Sequence, residues 1–278
     1  MDGDYLAHYR EHGYAVVRAL FKPDEVAEIA AAFDRLYEQG LAHGASFRHG
    51  NLLYRVQTDA NLGVIVPLVQ WPAYVEPVLE RVRRDPRMLD LLAPLLGHDL
   101  KQIINQLHWK PPGARAVGFS YHQDALFRRP AEAYRDLAGS YVQTGIAIDP
   151  HGLRNGGMRV YPGSHRRGVL RIERSGRVTD YDMADADLEA LGLDPAGAVS
   201  LDLAPGDLAL WHPYTVHGSG PNPSAGDRRF FINGYVRAEN CDRGEWAFRD
   251  GRPCPLGAPV LVHYEDLHRR PDPHYTGD

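Results

Sequence analysis

Ser120-Tyr121-His122-Gln123-Asp124 is the stretch on which the reading of this chain turns, and Val216-His217-Gly218-Ser219 answers it about ninety-five residues later. His122 and Asp124 stand two apart, so an extended strand would present both on one face. A distant histidine completes a set of three ligands that occupies one face of an octahedral metal and leaves the opposite face open. Two imidazoles and one carboxylate suit iron, and that open arrangement is the facial triad of non-heme Fe(II) oxygenases. The motif alone is a weak signal, because a chain with fourteen histidines produces a His-x-Asp by chance. On the motif alone, a histidine satisfied within the core or at the surface is an equally good reading of His122.

The residues after His217 shift that balance. Gly218-Ser219-Gly220-Pro221-Asn222-Pro223 makes a tight turn, and Arg228-Arg229 then opens the apolar run Phe230-Phe231-Ile232. An arginine at that point, facing the interior, grips a carboxylate through a planar two-bond fork. With these residues the chain resembles the phytanoyl-CoA dioxygenase family of Fe(II)/2-oxoglutarate oxygenases. The matching blocks are His122-Gln123-Asp124, Asn155-Gly156-Gly157, Tyr161-Pro162-Gly163-Ser164-His165, Pro205-Gly206-Asp207, His217-Gly218-Ser219 and Arg228. They fall in the family's order between about Gly13 and about Arg237. The resemblance implies that His122, Asp124 and His217 hold Fe(II) and that Arg228 anchors 2-oxoglutarate. It also places Ser219, Gln106 and Gln143 against the co-substrate, although relatives vary at the two glutamines. Arg229 has the opposite strand parity and is expected to face outward. His165 and His212 match structural positions of the family and are left out of the ligand set. His108, Lys110 and His151 receive no role. Arg55, Phe127 and Arg128 are expected at the mouth of the site, where substrate enters.

Composition bounds the rest. The chain has 278 residues, 44% hydrophobic and 24% charged, enough for a substantial core in one domain. A formal net charge of −5 without a basic run argues against nucleic acid as a partner, and with it against nucleic-acid dealkylation. Cys241 and Cys254 lack metal-ligand spacing and read as free thiols of a reducing compartment. Neither a leader-like N-terminus nor a long apolar run is visible, so the expectation is a cytoplasmic protein without a membrane segment.

Along the chain, residues 1–12 read as a short polar helix or turn and Gly13–Val17 as a strand. Pro23 with Asp24 and Glu25 opens a helix whose stripe is Val26, Ile29, Phe33 and Leu36, with Gly40 expected to end it. Residues 42–67 read as loop, strand, loop. Trp71–Arg84 reads as a second helix, and a third is capped by Asp85, opened by Pro86 and stopped at Gly97. From Lys101 the period changes to two, with Ile104, Gln106 and His108 on one face. Short strands follow, separated by Gly/Pro turns, and residues 166–197 form a charged excursion with one short helix at 185–191. The fold class is therefore mainly β with flanking helices, around a double-stranded β-helix (jelly-roll, cupin-like) core. The expected organisation is one domain over 1–278: helical support to residue 98, jelly-roll core 99–237 and a C-terminal wrap 238–278.

The function expected from all this is oxidation of a small-molecule substrate with O2, by hydroxylation or a related C–H oxidation, as in specialised metabolism. 2-Oxoglutarate would be decarboxylated to succinate and CO2 by a monomer or homodimer. The alternatives are a non-catalytic cupin-like binding protein and a metal-dependent hydrolase working through a metal-bound water. The latter has no use for a dicarboxylate anchor.

Overall fold

The computed structural model describes residues 4–170, 185–260, 270 and 272–277. Helix α1 (Asp4–His12) leads into β1 (Tyr14–Val17), and α2 (Pro23–His43) follows. Then come β2 (Phe47–His49), β3 (Leu52–Asp59), β4 (Gly63–Gln70), α3 (Pro77–Arg83) and α4 (Pro86–Leu96). The remaining strands are β5 (Leu100–Lys110), β6 (Phe119–His122), β7 (Tyr141–Ala147), β8 (Met158–Val160), β9 (Val199–Ser200), β10 (Leu208–Trp211), β11 (His217–Ser219), β12 (Arg228–Arg237), β13 (Glu245–Arg249), β14 (Arg252–Pro253) and β15 (His274–Tyr275). They form two antiparallel sheets. The larger runs β1-β10-β7-β12-β5-β4-β3-β2-β15, with β13 on the far end of β5 and β14 beside β13, and the smaller runs β6-β11-β8-β9. This is the jelly roll expected from the sequence.

Alternation along the central strands sorts two cores. On β12, Phe231 faces the helices and meets Phe33 of α2 edge-on with ring centroids 6.3 Å apart. Leu107, Ile146, Leu208 and Leu210 share that outer layer with α2 and α4. Phe230, one residue away, faces inward and packs with Trp211, Met158 and Val160 between the sheets. Residues of one parity thus hold the helices, and those of the other line the interior.

Several boundaries differ from expectation. Helix α2 runs through Gly40 to His43, and Gly44 in the left-handed region (φ 69°) is its cap. Gly40 serves instead as a notch, since a Cβ there would stand 2.7 Å from the Val66 side chain of β4. Residues 42–67 are three strands, not one. Trp71 adopts φ 53°, which breaks the expected second helix into a 3-10 turn at Pro72–Tyr74 and α3. The third helix is as read: Asp85 accepts a bond from the Arg87 amide at 2.9 Å and Pro86 opens it. The C-terminal stretch is more than a wrap, because β13 pairs with β5 and buries Ala247 and Phe248 in the main core. The short helix lies at Asp185–Ala190, and most of the preceding charged excursion falls outside the described residues. Among the described residues no helix is long and apolar enough to cross a membrane.

Candidate active site

The smaller sheet brings the histidines together. Strands β6 and β11 pair antiparallel with His122 directly opposite His217, and their rings lie 4.3 Å apart between centroids. Asp124 does not continue β6 as expected. It opens a 3-10 turn, Asp124–Phe127, pinned by the Ala125 amide to the Pro213 carbonyl at 3.0 Å. The turn still delivers the carboxylate: its oxygens stand 3.9 Å from His122 Nε2 and 3.7 Å from His217 Nε2. One ligand atom from each of the three residues lies within 4.8 Å of the others. Gln123 points away and is structural, donating to the Gly168 and Tyr214 carbonyls at 2.9 and 2.6 Å.

Each histidine is oriented by the backbone. His122 Nδ1 lies 2.8 Å from the Ser120 carbonyl, and His217 Nδ1 lies 2.9 Å from that of Thr215. A carbonyl only accepts, so Nδ1 carries the proton in both and Nε2 turns a lone pair toward the centre. Burial, and then the neighbouring His217 ring, push the His122 imidazole well below its ordinary range, which keeps it neutral as a metal ligand must be. Asp124 is held by Trp211 of β10, whose indole donates to Oδ2 at 2.8 Å. Trp211 was not singled out from the sequence; the Trp211-His212-Pro213 motif was the available signal.

A cavity of about 270 Å3 opens beside this centre. Gln106, Gln143, Ser219 and Arg228 all line it, as do Phe127 and Arg128 at its rim. Arg55 does not; it borders a smaller neighbouring cavity with Gln57 and Pro67. Gln106 faces His108 (Oε1 to Nε2, 3.0 Å), and Gln143 accepts from the Tyr141 hydroxyl. His165 and His212 stand away from the centre, 5.2 Å from each other, and rest on the Arg10 and Ala138 carbonyls.

Arg228 and Arg229 part as strand parity requires. Arg229 turns outward to Asp149 (2.9 and 2.8 Å) and Asp34 (3.0 Å). Arg228 turns inward, 3% exposed, and donates Nη2 to the Gly156 carbonyl at 3.1 Å. Its Nε is buried without a partner among the described residues, and burial pushes the guanidinium down to about 9. A buried cation with an unfilled donor calls for an anion, so the far wall fits a carboxylate of 2-oxoglutarate. The donor set fits Fe(II), since two imidazoles and one carboxylate leave positions for other ligands.

The family model described as phytanoyl-CoA dioxygenase (PhyH) matches residues 9–230. The chain belongs to that family. A relative from Stutzerimonas stutzeri named "Probable alpha-ketoglutarate-dependent hypophosphite dioxygenase" is 28% identical over 246 residues, covering 86% of this chain and 80% of its own. An ectoine dioxygenase of Bordetella bronchiseptica is 21% identical over 248 residues, 86% of this chain and 77% of its own. Among solved structures, the non-heme alpha-ketoglutarate-dependent carbocyclase SnoK from nogalamycin biosynthesis superposes with a TM-score of 0.65. It is 19% identical over 94% of this chain and 97% of its own, and shares the fold. The reading of this family member as a 2-oxoglutarate-dependent, non-heme iron dioxygenase stands.

Proposed function

We propose that this dioxygenase oxidises a small molecule at iron held by His122, Asp124 and His217, with Arg228 and Ser219 seating the distal carboxylate of 2-oxoglutarate. The observation that carries the proposal is the pairing of three convergent, pre-oriented ligands with a buried arginine on the opposite wall of one cavity. Iron and co-substrate, when bound, supply the oxidant, as 2-oxoglutarate is converted to succinate and CO2. The chain supplies placement. Trp211 and the two backbone carbonyls fix the ligand atoms, and the burial of Arg228 makes its bond to a carboxylate strong. Phe127 and Arg128, beside Asp124, are the substrate contacts we propose, and Gln106 and Gln143 face the same space. At about 270 Å3 the cavity falls just below pockets that enclose drug-sized ligands, about 300–1,000 Å3, and co-substrate shares it. That favours a small substrate, and the relatives' named substrates, hypophosphite and ectoine, agree with it. The whole chain works as one domain, as a monomer or homodimer, and its two free cysteines suit a cytoplasmic setting.

The test is oxygen uptake by the Fe(II)-loaded protein with 2-oxoglutarate across a library of small metabolites, with succinate measured in parallel. Stimulated, stoichiometric succinate release supports the proposal. Tight ligand binding without oxygen uptake favours a binding protein, and turnover without oxygen favours a hydrolase.

A further inference from the structure

Lys110 stands behind the anchor end of the cavity, against Ser219 and beside the smaller neighbouring cavity, and nothing so far has required it. It follows Gln106 and His108 in parity on β5 and stands opposite Arg228 in the β5–β12 register. Only 1% of its surface is exposed. Its Nζ reaches the Gly156 carbonyl at 3.1 Å, the Gly220 carbonyl at 2.5 Å and Ser219 Oγ at 2.8 Å. Lys110 thus ties the larger sheet to the Asn155-Gly156-Gly157 turn and to the turn after β11. Gly156 is itself shared, because Arg228 donates to the same carbonyl.

The charge balance is unusual. Arg228 and Lys110 are two buried cationic side chains side by side, and among the described residues neither is paired with a carboxylate. The other titratable groups facing Lys110 are His108 on its own strand and His151, both held neutral chiefly by burial. A second full charge beside Arg228 is therefore costly while the cavity holds no anion, and burial with the Arg228 charge pushes the amine down to about 5. The hydrogen bonds accommodate the neutral amine without rearrangement. Two N–H groups serve the Gly156 and Gly220 carbonyls, the Ser219 carbonyl lies farther off at 3.5 Å, and the lone pair accepts from the Ser219 hydroxyl. Adding a proton gives Nζ a third donor for Ser219 Oγ, which frees the hydroxyl proton to point into the cavity.

On the co-substrate reading above, we propose that Lys110 is a positioning residue that takes up one proton from solvent as the distal carboxylate of 2-oxoglutarate is seated. That proton reverses the Lys110–Ser219 hydrogen bond, so that the Ser219 hydroxyl donates to the carboxylate beside Arg228. One N–H bond forms at Nζ, the hydroxyl keeps its own proton, and the arriving anion offsets the added charge.

Calorimetric titration of 2-oxoglutarate into the full-length, Mn(II)-loaded protein without oxygen, in buffers of different ionisation enthalpy, reads the proton count directly. The expected result near neutral pH is uptake of about one proton per molecule bound, with affinity rising as pH falls from about 8 to about 6.5. Lys110→Met should lose the uptake and the pH dependence and bind about tenfold more weakly. Binding without uptake in the wild type, or undiminished uptake in Lys110→Met, overturns this proposal alone and leaves the co-substrate reading intact. No binding of 2-oxoglutarate overturns both. Should Lys110→Met fail to fold, Ser219→Ala decides the hydroxyl's part: weaker binding with uptake retained supports it, and unchanged affinity overturns it.

Discussion

Trp211→Phe isolates the indole that donates to the Asp124 carboxylate. The substitution keeps an aromatic ring against Phe230 and removes the indole N–H that donates to Asp124 Oδ2 at 2.8 Å. A bond from a neutral donor to a carboxylate is worth about 1.5–3 kcal/mol, and the trimmed ring leaves a void in a fully buried site. Together these should lower folding stability by about 2–4 kcal/mol. Metal affinity should fall by less than the bond's full worth, because the bond is already made in the metal-free protein. What the metal site loses is only a carboxylate fixed in place beforehand. Outer-shell partners of this kind typically contribute 10- to 100-fold, and the lower end, about tenfold, is expected. Anaerobic titration with Fe(II) or Co(II), beside a thermal melt of the metal-free protein, separates the two effects. A lowered melt with unchanged metal affinity would refute the positioning role and leave Trp211 as packing alone.

Asp124→Ala and His217→Ala should each abolish tight Fe(II) binding, measured by equilibrium dialysis, with the fold retained by circular dichroism. Arg228→Ala should weaken 2-oxoglutarate binding by roughly ten- to a hundredfold while leaving iron affinity nearly unchanged. Arg229→Ala should do the reverse, costing stability through Asp149 and Asp34 with little effect on the co-substrate. Gly156→Ala should disrupt the anchor end, since a Cβ there would stand 2.3 Å from the Pro221 carbonyl oxygen and φ is +70°; the check is a loss of 2-oxoglutarate affinity larger than the loss of iron affinity. Turnover in excess chloride or bromide should give no halogenated product by mass spectrometry, because the Asp124 carboxylate takes the position a halide would need.

What could be read from the sequence is what chemistry confines to few residue types. A metal triad has to be written in His and Asp, so His122, Asp124 and His217 stood out before any geometry was known. Strand parity put Gln106 and His108 on one face, which the structure turns toward the cavity, and parted Arg228 from Arg229. The region 42–67 was misread because its polar residues mimic a loop. Asp59, for one, is 1% exposed at the end of β3, where its carboxylate accepts the amides of Asn61, Leu62, Arg115 and Ala116. Those last partners lie more than fifty residues away, beyond the reach of any local pattern. Gly40 was misread for the related reason that a glycine signals a helix end and a close contact equally well. Trp211 and Lys110 were passed over because an indole or an amine acquires its role only from what stands opposite it. Trp211 meets Asp124 across 87 residues of chain, and Lys110 meets Ser219 across 109.

These two long-range contacts explain how a site split between two sheets keeps its dimensions. The proposed iron ligands belong to β6 and β11 of the smaller sheet and to the turn that follows β6, whereas Arg228 belongs to β12 on the larger sheet. A co-substrate gripped at both ends therefore measures the separation of the sheets, and slippage of about 1 Å between them would misplace it badly. Trp211 reaches from the larger sheet to a ligand of the smaller, and Lys110 reaches from the larger sheet to the strand that carries His217. Arg228 adds a third tie through Gly156, on the turn that leads into β8. The Trp211 and Arg228 crossings are buried hydrogen bonds and the Lys110 crossing is partly buried, so each is directional and costly to leave unmade. The polar groups nearest the chemistry thus fix the distance over which the chemistry must work.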